Sequence, residues 1–143
     1  RIENVLKGKE YEIMKEFSGN DLVGSSYAAP FDYYQKDNSL ENHERGWKVC
    51  AGEFVTLDAG TGIVHIAPAF GEDDMKLGQS EKLPFVQHVK TDGHFKEEVT
   101  HFAGMQVKPK DNHQATDIEI IKYLAHNHHL FEKEKIIHSY PHC

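Results

Sequence analysis

Residues 60–74, Gly60-Thr61-Gly62-Ile63-Val64-His65-Ile66-Ala67-Pro68-Ala69-Phe70-Gly71-Glu72-Asp73-Asp74, hold the side chains best suited to chemistry. His65, at the end of a short apolar run, projects a side chain toward whatever lies above it. Glu72, Asp73 and Asp74 supply an acidic helix start just after the proline stop. Gly60 and Gly62, on either side of Thr61, allow a ligand to approach the main chain closely. Each residue also has an ordinary explanation. A lone histidine on a strand is more often a hydrogen-bonded structural residue, and an aspartate in a first helical turn is often there for the helix dipole. Taken alone, the segment specifies a pocket floor without naming the ligand.

The elements that would position these residues follow from the hydrophobic pattern. Residues 47–50, 54–57 and 62–67 are short apolar runs separated by Ala51-Gly52-Glu53 and Asp58-Ala59-Gly60, the spacing of a β meander. Pro68 stops the last run. Glu72, Asp73 and Asp74 then place negative charge where a helix N-terminus favours it, predicting a short helix from about Glu72. Residues 11–17 read as a strand, with Ser18-Gly19-Asn20-Asp21 as its turn, and residues 24–31, ending in Pro30-Phe31, as an edge strand or loop. The polar stretch 35–45 reads as a solvated loop with no catalytic candidate. Residues 84–89 suggest a further strand, Thr91-Asp92-Gly93 a turn, and residues 94–99 an extended segment. Ile118, Ile121, Leu124 and Ala125 recur at helical spacing behind a cap at Thr116 or Asn112, and residues 131–138 read as a last strand. Ile118, Ile121 and Leu124 are expected in the core, as is Trp47.

Composition narrows the function classes. The chain has 143 residues, enough for one domain but cramped for two. No apolar run approaches a membrane span and no secretory signal is evident, so a cytoplasmic setting without a membrane partner is expected. A net charge of -7 argues against broad contact with nucleic-acid phosphates but leaves room for a local contact at a nucleic-acid end. Cys50 and Cys143 offer no disulfide framework. The 11 histidines raise a metal reading, with His126, His128 and His129 clustered and His138, His142 and Cys143 near the end. Solvated residues at a helix C-terminus explain the first cluster more simply, and no native metal site is assigned.

At residues 60–74 the sequence strongly resembles the editing domain inserted in class I aminoacyl-tRNA synthetases for isoleucine, valine and leucine. Further matches are Tyr27-Ala28-Ala29-Pro30-Phe31, Ala51-Gly52-Glu53-Phe54-Val55-Thr56, Asp92-Gly93-His94-Phe95 and His138-Ser139-Tyr140-Pro141-His142-Cys143, in the family's order. His65 followed by Ile66-Ala67-Pro68 is similar to the isoleucine enzymes, since the leucine and valine enzymes usually carry Met or Lys at that position. The resemblance covers nearly the whole chain and implies an α+β fold with a β-barrel-like sheet, residues 1–143 being a single domain. It implies hydrolysis of valine misattached to the 3′ end of tRNA(Ile), with valyl-adenylate as a further substrate. Asp74 would fix the α-ammonium group, His65 would line the pocket and stand as a candidate for proton transfer, and Gly60, Thr61 and Gly62 would shape the wall. The remainder of the synthetase is the other implied partner.

Where the sequence departs from the family pattern, it lacks the threonine-rich segment that forms another wall of the editing pocket, so the domain is expected to be N-terminally incomplete. The HIGH-type and KMSKS-type sequences are absent too. No cofactor is implied for the editing domain, ATP and zinc being matters for the full-length enzyme. Two rival readings are a fragment that only binds the aminoacylated tRNA end, without turnover, and a metal-binding structural domain built on the histidines.

Overall fold

The computed structural model describes residues 2–56 and 61–133. The chain divides into two compact units, Arg1–His88 and Val89–Cys143. Three α-helices appear in order: α1 (Ile2–Leu6), α2 (Glu72–Glu81) and α3 (Ala115–His126). Short 3-10 turns occupy Gly19–Leu22 and His43–Arg45.

In the first unit, α2 begins where the acidic run predicts. Gly71 is the N-cap, in extended conformation, and Glu72, Asp73 and Asp74 fill the first turn. The helix ends with Lys82 in the left-handed region at φ 53°, and the Leu83 N–H donates to the Gly78 carbonyl at 2.8 Å, satisfying a carbonyl that the helix leaves open. Gly78 is buried against Pro68, so the absence of a side chain brings α2 onto the end of the His65-Ile66-Ala67-Pro68 run.

The polar stretch read as a solvated loop has a structural task. The Gln35 side chain accepts from the Ala29 N–H at 3.2 Å and donates to the Tyr27 carbonyl at 3.1 Å, substituting for a strand neighbour along Tyr27-Ala28-Ala29. His43 Nε2 lies 2.7 Å from the Gln35 carbonyl. That oxygen can only accept, so Nε2 carries the proton. The His43 ring also packs on Trp47, centroids 5.1 Å apart.

The β-barrel-like sheet expected from the sequence is not formed among the described residues. Their β pairing is limited to isolated bridges, Ser26 with Lys48, Val89 with Phe95 and His94 with Gln106. Two runs of the expected meander open on a residue outside strand geometry: Trp47 has φ 53° and Gly62 φ 77°. Residues 11–17, read as a strand, have no ladder partner, and Met14 is 93% exposed. Residues 84–89 likewise form no strand, and the last expected strand, 131–138, lies mostly outside the described residues.

The second unit has a small core of Phe95, Val99 and Phe102, with Tyr123 of α3 edge-on to Phe102 at 5.6 Å. The expected turn at Thr91-Asp92-Gly93 is present, with Gly93 at φ 82° and the Asp92 carboxylate accepting from the His94 N–H at 3.1 Å. Thr116 is not a cap. It lies inside α3, 1% exposed, and its hydroxyl donates to the Gln106 carbonyl at 2.7 Å. Asn112 stands just ahead of the helix, its side chain accepting from the Gln114 N–H at 3.2 Å. Ile118, expected in the core, is 43% exposed, whereas Ile121 and Leu124 are half-buried.

Candidate functional site

The site residues lie on the approach to α2 and in its first turn. Thr61 is exposed, and its hydroxyl both accepts from the Ile63 N–H and donates to the Ile63 carbonyl at 3.2 Å, a local turn that orients Gly62. His65 is exposed on an extended segment, beside Ile63 and Val64 at 69% and 53% exposure. A turn closed by the Phe70 N–H donating to the Ala67 carbonyl at 2.9 Å then leads into Gly71 and the helix. Gly60 lies outside the described residues.

The three acids of the first turn divide into two kinds. Lys76 pairs with Glu72 at 2.8 Å and lies 3.7 Å from Asp73. The hydrogen bond from Lys76, with its charge, holds the Glu72 carboxyl below its ordinary range and the Lys76 ammonium above its own. Asp74 is half-buried and stands outside this network, its carboxylate making no hydrogen bond or ion pair among the described residues. Asp74 Oδ2 folds back over the N-cap, 2.6 Å from the point a Cβ on Gly71 would occupy. Helical side chains lean toward the N-terminus, and here the lean delivers a carboxylate to the end of the 60–71 segment.

A cleft of about 570 Å³ opens on the neighbouring face of α2, lined by Pro68, Met75, Gly78, Gln79, Lys82 and Leu83 among others. The sequence marks residues 60–74 as a pocket floor. Only Pro68 of that segment lines this cleft; Thr61, His65 and Asp74 do not. Asp74 precedes Met75 by about 100° of helical rotation, which turns it off the cleft face.

Gly71 and Gly78 had no assigned role in the sequence reading, and Gln35 was placed in a loop without function. A glycine directly before an acidic first turn was the available signal for Gly71. For Gln35 there was none, because its partners are set by tertiary contact.

Among the described residues no three His, Cys, Asp or Glu side chains converge to hold a metal ion. His138, His142 and Cys143 lie outside those residues. Cys50 is a free thiol, raised above its ordinary range by burial and then by the Glu81 charge. No helix among the described residues is long and apolar enough to cross a membrane.

No protein-family model matches the chain. Over all 143 residues it is 43% identical to an isoleucine–tRNA ligase of Bacillus thuringiensis (strain Al Hakam), of which it covers 12%. It is 42% identical over 139 residues to the isoleucine–tRNA ligase of Clostridium acetobutylicum, 97% of this chain and 12% of that relative. With the enzyme of Clostridium novyi (strain NT) the identity is 40% over 141 residues, 99% of this chain and again 12% of the relative. These relatives place the chain among the aminoacyl-tRNA synthetases. It belongs, along its whole length, to one segment of the isoleucine–tRNA ligase family, and it spans 12% of the length of the relatives it matches.

Proposed function

We propose that residues 1–143 belong to the proofreading domain of an isoleucine–tRNA ligase, which hydrolyses the ester between valine and the 3′ end of tRNA(Ile), with valyl-adenylate as a second substrate. The observation that carries this reading is the half-buried carboxylate of Asp74, without a partner among the described residues, at the head of α2, directly after the Gly62 to Gly71 approach, in a chain homologous to that ligase family.

The reaction gives each residue a task. Asp74 takes the α-ammonium group of the misattached amino acid through a charge-assisted hydrogen bond. With the ammonium fixed, the ester carbonyl is held for attack by a positioned water, an effect of orientation that needs no metal. His65 lines the pocket and is the candidate for proton transfer to the leaving ribose oxygen. Gly62 and Thr61 shape the wall, with Gly60 beside them in sequence. The domain acts where the remainder of the synthetase charges tRNA, in the cytoplasm, and its net negative charge limits the tRNA contact to the aminoacylated end.

A second site is needed because one methylene in an apolar pocket is worth only about 1–3 kcal/mol, isoleucine against valine being the standard instance of that limit. A pocket that rejects isoleucine by size and destroys what enters adds a second stage of selection.

The test is Asp74→Ala in an isoleucine–tRNA ligase carrying this segment. Loss of one charge-assisted hydrogen bond is expected to slow valine clearance by roughly ten- to a hundredfold, with isoleucine charging intact. Unchanged clearance would remove Asp74 from the site.

A further inference from the structure

We propose that Gly71 is a positioning residue for Asp74, required because the carboxylate occupies the space that any other side chain at position 71 would fill. The inference rests on the editing reading, in which Asp74 receives the α-ammonium group of the substrate.

Three observations carry it. Asp74 Oδ2, Cγ and Cβ lie 2.6, 3.0 and 3.5 Å from the site of a Cβ on Gly71. An approach of 2.6 Å cannot persist, so one group must move. The backbone gives no reason for it to be the helix: Gly71 has φ -151°, extended geometry open to any residue. The carboxylate, in contrast, ends a short side chain with no hydrogen bond or ion pair to hold it among the described residues. A side chain at 71 therefore displaces the carboxylate and leaves α2 in place.

Ordinary helix chemistry points the other way. An N-cap is favoured by Ser, Thr, Asp or Asn, whose side chains accept from the first-turn amides, with Gly only slightly behind them. Gly71 gives α2 no such bond. The helix forgoes a stabilising cap at the one position where its side chain would push Asp74 aside. Serine would serve the helix slightly better, whereas glycine leaves the carboxylate its space.

The test uses Gly71→Ala and Gly71→Ser in an isoleucine–tRNA ligase carrying this segment, with two esters of tRNA(Ile), one of valine and one of its α-hydroxy analogue, which has no ammonium group. Both variants are expected to slow hydrolysis of the valyl ester roughly tenfold or more while leaving the α-hydroxy ester within about twofold. Gly71→Ser should melt no lower than the unsubstituted protein, separating carboxylate placement from helix stability. Combined with Asp74→Ala, either substitution should add nothing to the defect, because the displaced group is gone. Equal slowing of both esters, or a defect that adds to that of Asp74→Ala, would overturn the proposal. An Asp74→Ala variant that clears valine normally, or an unsubstituted segment that clears none, would instead overturn the editing reading beneath it.

Discussion

A Cβ on Gly78 would lie 2.8 Å from Pro68 Cγ and 2.9 Å from Pro68 Cβ, so the middle of α2 rests directly on the residue that ends the His65 segment. The proline ring cannot swing aside as a flexible side chain would. This contact ties the helix bearing Asp74 to the run bearing His65, and the two candidate residues depend on it for their relative placement.

Gly78→Ala sets two known effects against each other. Alanine gains about 1 kcal/mol of helix propensity over glycine. Forcing a methyl into the Pro68 contact costs about 1–3 kcal/mol. The net expectation is a loss of about 1 kcal/mol in chemical denaturation, accompanied by slower clearance of valine in the intact ligase. A variant that is more stable than the parent would show that Pro68 and α2 are not in contact.

Thr116 makes the most deeply buried polar contact described in the second unit, its hydroxyl donating to the Gln106 carbonyl from a position 1% exposed. Thr116→Val keeps the shape and removes the donor, leaving a carbonyl without its partner. The expected cost is about 1–3 kcal/mol. Thr116→Ser keeps the hydroxyl and should lose less. Denaturation midpoints in urea order the three proteins, and a larger loss for Thr116→Ser than for Thr116→Val would show that the methyl group, not the hydrogen bond, supplies the stability.

The elements that the sequence made legible are those fixed by neighbours along the chain. The start of α2 follows from Gly71 and three acids, the turn at 91–93 from Asp92 and Gly93, and α3 from the spacing of Ile121 and Leu124. Thr116 was read as a local cap because its partner, Gln106, belongs to another segment. The strands failed for the same reason: a ladder requires a partner, and neither Trp47 at φ 53° nor the exposed Ile63 and Val64 announces its environment in the alternation of residue types. Site residues were legible through resemblance to a family. The steric relation between Gly71 and Asp74 appears only in three dimensions.

The response to pH has a definite sign. Hydrogen bonds from the Ser39 hydroxyl and N–H hold Asp37 below the ordinary carboxylate range, the His94 N–H and side chain do so for Asp92, and Lys76 does so for Glu72. Folding favours the charged form of each, so its contribution is present above the unfolded values of 3.8, 3.8 and 4.5 and is lost as pH falls through the lower folded values. Lys76 and Lys90 are raised above 10.5 by Glu72 and Glu97, and their contributions persist below that value and fade above it. Thermal melting should therefore be nearly flat, as far as these groups decide it, between about pH 5 and about pH 10, and should fall on acidification below about pH 4. Asp37→Asn should reduce the acid slope. An unchanged slope would mean that the Ser39 bonds do not persist in solution.

Selective hydrolysis is the most direct test of the central claim. Tyrosine, tryptophan or metal signals would report on the fold, but loss of the aminoacyl ester reports on the activity itself. Valyl and isoleucyl esters of tRNA(Ile) are incubated separately with an isoleucine–tRNA ligase carrying this segment, and the remaining ester is followed in time. The editing account predicts rapid loss of valine and persistence of isoleucine, a difference abolished by Asp74→Ala. Equal rates for the two esters, or no hydrolysis of either, would contradict it.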